Sequence, residues 1–277
     1  MKPLVSILFH FLLFHAGRGQ MMGGVPAGPR QFPFAVQVLG ANYTRICGGS
    51  IIGHQWVITA GHCVRENGTH MITGIVAGDE FLRDLANDTR RVEILNDQIE
   101  IITPLRYDED EYTYDAALLF LKTPLKSSSR VKMIELGSNL ALRAGDECTL
   151  MGWGRTKVEW GPPGSHDNHI QSEISSFLRY GKLTVSAVNL HLILFAGVSR
   201  DGDSPYMLMG DSGSPLVCRD TDGKQKLFGW QHSVETDKNF FTYRNVAFFR
   251  DWIEGKMKMK RILSEYIGDG SDFRQYD

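Results

Sequence analysis

Three stretches of the chain carry side chains able to move a proton and attack a carbonyl carbon. In "MLMGDSGSPLVC", Met207 to Cys218, Ser212 sits between Asp211 and Gly213 in a turn small enough to leave its hydroxyl exposed. Serines are common in such turns, so this one becomes a nucleophile only beside a base. "WVITAGHC" offers one: His62 directly precedes Cys63 at the end of an apolar run, where a tethered cysteine would hold the imidazole in place. Alone, a histidine beside a cysteine reads as a packed core residue. Asp115 in "YTYDAALLFL" changes that reading, because it is a carboxylate at the head of a very apolar strand, where an unpaired charge is costly. An imidazole that donates one ring N–H to Asp115 and accepts the Ser212 proton would meet that demand. The three then form the nucleophile, base and orienter of acyl transfer.

The elements that must position these groups are short. From about Phe34 onward, runs such as "FAVQVL", "IIGHQWVITA", "AALLFL", "CTLMGW" and "FTYRNVAFF" are separated by Gly, Asn, Asp and Pro, which predicts many antiparallel strands in a sandwich or barrel. From Phe248 the spacing changes, and Phe249, Trp252, Ile253, Met257 and Ile262 with charges between them predict one amphipathic C-terminal helix. "YDEDEYT", Tyr107 to Thr113, reads as a solvated acidic loop. "EWGPPGSHDNH", Glu159 to His169, reads as a surface loop whose His166 and His169 lack the companions of a metal site. The acids between Asp79 and Glu93 are interleaved with Arg83, Arg90 and Arg91 and show no calcium-loop spacing. No metal or other cofactor is expected.

The formal net charge of -2 over 277 residues gives no field for holding a polyanion, so nucleic acid is not expected as a partner. Met1 and Lys2 lead into the apolar run Leu4 to Leu13 and then Ala16, Gly17 and Gly19, the pattern of a cleavable signal peptide. The run falls short of the ~20 residues needed to span a bilayer, so no membrane partner is expected. The protein is expected to be secreted, extracellular or held in a secretory granule. In that oxidising setting Cys47, Cys63, Cys148 and Cys218 read as disulfides, with three pairings open. Sequons at Asn42, Asn67 and Asn87 fit the same compartment.

Taken together, "CGGSIIGHQWVITAGHC", "DAALLFL", "MGWGRT", "GDSGSPLVC" and "FTYRNVAFFRDWI" resemble a serine protease of the trypsin/chymotrypsin family, in its order of histidine, aspartate, serine. The resemblance implies an all-β fold of two packed six-stranded antiparallel Greek-key barrels with a C-terminal α-helix. It implies a signal peptide and short leader over residues 1–20, a protease domain over 21–260 and a tail over 261–277. It also implies His62 as general base and acid, Asp115 as its orienter and Ser212 as nucleophile, with backbone N–H groups of Gly210 and Ser212 as the oxyanion hole. Cys47 would pair with Cys63, and Cys148 with Cys218. The implied partners are a protein or peptide substrate and a protein protease inhibitor.

The chain departs from the family at identifiable points. The usual Ile-Val-Gly-Gly start is Met21, Met22, Gly23, Gly24, with Gln20 rather than a basic residue before it; Met21 is the expected partner of Asp211 in the activation ion pair. Six residues before Ser212, where trypsin-like members carry an aspartate, stands Tyr206. The substrate pocket is expected to involve Tyr206, Met207, Met209, His232, Val234 and Asn239, with His232, Ser233 and Val234 replacing a Ser-Trp-Gly stretch. Gly61 replaces an alanine before the histidine. These features imply a secreted serine endopeptidase that is not Arg/Lys-specific, with a catalytically weak or inactive homologue acting as a binding protein as the alternative.

Overall fold

A strand covered on both sides is buried at every position, and β2 (Ala35–Leu39) is buried along its whole length, its one polar residue, Gln37, donating from Nε2 to the Phe81 carbonyl at 2.7 Å. In β14 (Arg179–Val188), Gly181, Leu183 and Val185 are buried while Lys182, Thr184 and Ser186 are exposed, so one face meets a core and the other meets water. The computed structural model describes residues 24–40, 45–66, 68–81, 92–109, 113–138, 142–159, 171–188, 193–197, 211–235 and 240–267. The signal-peptide stretch, the three sequon asparagines and most of the Glu159 to His169 loop lie outside them.

After a short β1 (Val25–Pro26), the first half of the chain forms β2, β3 (Arg45–Gly53), β4 (Trp56–Thr59), β5 (Arg65–Glu66), β6 (Thr69–His70), β7 (Gly74–Ala77), β8 (Val92–Leu95), β9 (Ile99–Ile102) and β10 (Ala117–Leu121). Its main sheet runs β8-β7-β2-β3-β4-β10-β9, with every pairing antiparallel. Only a three-residue 3-10 turn, Asn96–Gln98, separates β8 from β9. The seven segments therefore make six walls, and the chain itself closes the cylinder.

The second half forms β11 (Glu147–Gly152), β12 (Arg155–Glu159), β13 (Gln171–Ile174), β14, β15 (Ile193–Gly197), β16 (Pro215–Arg219), β17 (Gln225–Glu235) and β18 (Phe240–Asn245), followed by α1 (Val246–Ile267). The order β14-β11-β16-β17-β18-β15 closes through a β14–β15 pairing, and β1 adds at the β14 side. These are the two six-stranded barrels that the resemblance implies. Their packing is continuous: Met151, Trp153, Val217, Leu227 and Trp230 of the second half share one buried cluster with the core of the first.

Asn245 caps α1, its Oδ1 accepting the Ala247 N–H at 3.0 Å. Phe249 and Ile253 are buried, and Phe248 and Phe249 lie 5.6 and 6.4 Å from the ring of Tyr114. The helix thus reaches from the second barrel back to the residue before Asp115. It runs on to Ile267, so the boundary expected at residue 260 falls inside one continuous element.

Cys47–Cys63 ties β3 to the turn that carries His62, and Cys148–Cys218 joins residues directly opposite each other on β11 and β16. The enclosed separations are 16 and 70 residues. Loop entropy then predicts losses of about 3 kcal/mol for the Cys47→Ala/Cys63→Ala variant and about 4 kcal/mol for Cys148→Ala/Cys218→Ala. Denaturant unfolding checks both the sizes and their order.

Candidate active site

His62 is the middle residue of a 3-10 turn, Gly61–Cys63, entered from the extended Ala60 at the end of β4. The turn is pinned by Cys63 and by two hydrogen bonds to one carboxylate. The His62 backbone N–H donates to Asp115 Oδ1 at 2.8 Å, and ring Nδ1 donates to Asp115 Oδ2 at 2.9 Å. Asp115 is fully buried. Burial alone would push its carboxyl up, but hydrogen bonds from His232 and His62, reinforced by the electrostatic pull of the two imidazoles, hold it well below the ordinary carboxylate range. The proton shared with this anion belongs to Nδ1, which leaves Nε2 as the acceptor of the neutral ring.

Two local features explain how this pair is held. Tyr114, just before Asp115, has a φ of 51°, a left-handed conformation that tyrosine seldom adopts. It is held there by Phe248, Phe249 and a 3.1 Å hydrogen bond from Arg106 Nη1 to its hydroxyl. Gly61, in turn, has no room for a methyl, because a Cβ there would lie 2.6 Å from the ring of Tyr107. Tyr107, read from sequence as part of a solvated loop, instead packs against the histidine turn.

Ser212 follows Asp211 into a tight turn in which the Ser214 N–H donates to the Asp211 carbonyl. Gly213 has a φ of 77°, and a Cβ there would fall 2.2 Å from Thr59 Oγ1 and 2.4 Å from the Gly48 carbonyl. Only glycine lets the turn press this closely on the first barrel. The Gly48 N–H donates to the Ser212 carbonyl at 2.8 Å, so the backbone of Ser212 is bonded to β3 of the first barrel. Asp211 is buried between Gly152 and Gly154, where a Cβ would fall 1.9 and 2.0 Å from its carboxylate oxygens. It accepts the Gly154 N–H at 2.6 Å.

Strand β17 links these parts. Trp230 Nε1 donates to the Asp115 carbonyl at 3.0 Å, the Gly213 N–H donates to the Gln231 carbonyl at 2.8 Å, and the Gln231 N–H donates to the Ser214 carbonyl at 2.9 Å. His232, expected in the substrate pocket, has its Nδ1 2.5 Å from Asp115 Oδ2. Arg244, which the sequence reading passed over, meets His232 Nε2 at 3.0 Å. The available signal was a charged residue between the apolar runs of β18, which demands a partner when buried.

The structure thus joins His62, Asp115 and His232 directly, and it sets the turn of Asp211, Ser212 and Gly213 against Gly48, Thr59 and Ala60 of the first barrel. Met21, Tyr206, Met207, Met209, Gly210 and Asn239 lie outside the described residues, and of Val234 only the backbone, in β17, is described. Among the described residues, the sets compact enough for a metal ion are Cys47, His62, Cys63 and His62, Asp115, His232. In the first, both sulfurs are used in a disulfide. In the second, separations of 2.9 and 2.5 Å are those of hydrogen bonds, and Arg244 puts a cation alongside.

A carboxyl held below its ordinary range stabilises the fold above its unfolded-state pKa, because in the acid window the unfolded chain binds the proton more readily. The stability lost in Asp115→Asn is therefore expected to be constant between about pH 5 and 8 and to shrink as pH falls below about 4. Urea unfolding of both proteins across that range measures it.

Comparison with known proteins agrees with this geometry. The family model described as Trypsin matches residues 21–253. Trypsin of Sus scrofa is 24% identical over 241 residues, covering 85% of this chain and 94% of the pig protein. Among solved structures, human heparin binding protein superposes with a TM-score of 0.67 at 27% identity, covering 85% of this chain and 96% of that one. A mutant of the same human protein superposes at 0.69 and 26% identity, covering 86% and 97%. With the matched family model spanning both barrels and all three candidate catalytic residues, the chain belongs to the trypsin family.

Proposed function

We propose that the protein is a secreted serine endopeptidase that cleaves protein or peptide substrates through an acyl-enzyme and has no preference for Arg or Lys. The observation that carries this reading is the pair of hydrogen bonds from His62 to the buried Asp115 carboxylate, next to a Ser212 turn bonded to Gly48. In the reaction, His62 Nε2 takes the Ser212 Oγ proton as the oxygen attacks the substrate carbonyl, and Asp115 stabilises the imidazolium. The proton then passes to the leaving amine, and water, deprotonated in the same way, releases the acid and restores Ser212. Backbone N–H groups of Gly210 and Ser212 are the proposed donors to the oxyanion.

The proposed ion pair of the Met21 ammonium with Asp211 would follow removal of the leader. In its favour, β1 holds the chain just beyond Met21 on β14, and Asp211 already lies in a cradle of two glycines. Tyr206 in place of a pocket aspartate would leave an Arg or Lys side chain without a counter-charge, which motivates the non-tryptic specificity. Secretion, glycosylation at Asn42, Asn67 and Asn87, and inhibition by a protein protease inhibitor belong to the same reading. A second reading, a protease homologue acting as a binding protein, is favoured by the neighbour named for binding heparin. Heparin itself is a poor candidate ligand here, because Lys and Arg total 30 against 32 Asp and Glu.

A fluorophosphonate probe separates the two readings. N-terminally mature wild type should label on Ser212, Ser212→Ala not at all, and His62→Ala slower by at least about 10³-fold. A peptide library should then show cleavage with no enrichment of Arg or Lys before the scissile bond. Wild type whose sequenced N-terminus is Met21 and which still does not label would sink the peptidase reading.

A further inference from the structure

His232 lies on β17 where the register against β18 slips by one residue, between the Gln231–Tyr243 and Ser233–Thr242 partners. A bulge of this kind re-aims a side chain, and here the imidazole ends 15% exposed with both ring nitrogens engaged. Nδ1 is 2.5 Å from Asp115 Oδ2, and Nε2 is 3.0 Å from Arg244 Nη2. A guanidinium has only donors, so Nε2 must accept, the ring is neutral, and its one proton sits on Nδ1, directed at Asp115. Arg244 is itself buried, on β18 opposite Trp230.

We propose that His232 is a second positioning histidine, its tautomer set by Arg244, whose Nδ1–H holds the Asp115 carboxylate in the orientation that receives both donors of His62. This deepens the endopeptidase reading and rests on it. Asp115 and His62 both come from the first barrel, so without His232 the carboxylate would be fixed mainly by the group it has to orient. His232 supplies a donor from the opposite barrel that stays in place while His62 gains and loses its proton. No bond to His232 forms or breaks; it acts on Ser212 through Asp115 and His62.

The test pairs a spectrum with a rate on the mature full chain. In ¹⁵N-labelled wild type, two low-field histidine Nδ1–H signals are expected, one from each imidazole on Asp115; His232→Asn and His232→Leu should each retain one. Fluorophosphonate labelling of Ser212 should slow by about 10- to 100-fold in His232→Leu, which leaves a hydrogen bond to a buried charge unmade. His232→Asn, which keeps an amide donor near the place of Nδ1, should recover most of that loss. A single low-field signal in wild type, or equal losses in His232→Asn and His232→Leu at equal melting temperature, overturns the proposal. Should His232→Leu fail to fold, the wild-type spectrum decides: two signals support the proposal and one overturns it. Wild type that shows both signals but takes no probe counts against the peptidase reading while supporting the placement of His232.

Discussion

The structure turns on one buried charge. Asp115 has no contact with solvent, and an anion in that position is tolerable only if donors surround it. Three reach its two oxygens: the His62 backbone N–H, His62 Nδ1 and His232 Nδ1. A fourth, Trp230 Nε1, holds its backbone carbonyl. Each donor fixes an element in turn. The two from His62 set the turn that Cys63 staples to β3, while the other two bind β17 of the second barrel to the start of β10 in the first. Even the strained backbone at Tyr114 fits this account, since the phenylalanines of α1 hold it where Asp115 must enter.

The same strand carries the other half of the site. Trp230 and His232 hold Asp115, and Gln231 between them bonds to both Gly213 and Ser214. Residues two apart on a strand share a face, so Trp230 and His232 both reach Asp115 through their side chains while the Gln231 backbone between them bonds the Ser212 turn. Ser212 is also bonded to Gly48 of the first barrel. The two halves are therefore laced together from both sides, and a shift of one barrel against the other would strain the bonds to Asp115 and to the Ser212 turn at once.

What could be read from the sequence is what composition and order fix. Asp115 at the head of "DAALLFL" calls for a partner, His62 beside a cysteine is the available base, the strand pattern yields a sandwich or barrel, and the resemblance implies the two barrels. His232 was less legible. Its place in the sequence suggested the pocket wall, and its contact with Asp115 comes from β17 of the second barrel lying beside the start of β10 in the first, a long-range juxtaposition that hydrophobic periodicity does not encode. Tyr107 was hidden for another reason: its acidic neighbours suggest solvent, while the ring is turned back under Gly61. A glycine where the family has an alanine was the trace of that contact, visible only once the two residues are seen together.

Two histidines on one carboxylate oxygen need not do the same work, and their other nitrogens tell them apart. At His232 the Nε2 lone pair is taken by Arg244, so the ring has nowhere to accept a further proton without losing that bond and setting a second cation beside a buried guanidinium. Arg244 pays for its own burial by staying close to the Asp115 charge: desolvation draws its pKa down and the carboxylate opposes that. His62 instead sits in a turn entered from Ala60, whose nitrogen would lie 3.1 Å from a Cβ at Gly213. The His232 imidazole is thereby fixed as a donor to Asp115. From this it follows that His232 and Arg244 act as a unit: an arginine at position 244 without a histidine at 232 would lose the 3.0 Å contact from Nη2, and the histidine without the arginine would lose the contact that selects its tautomer.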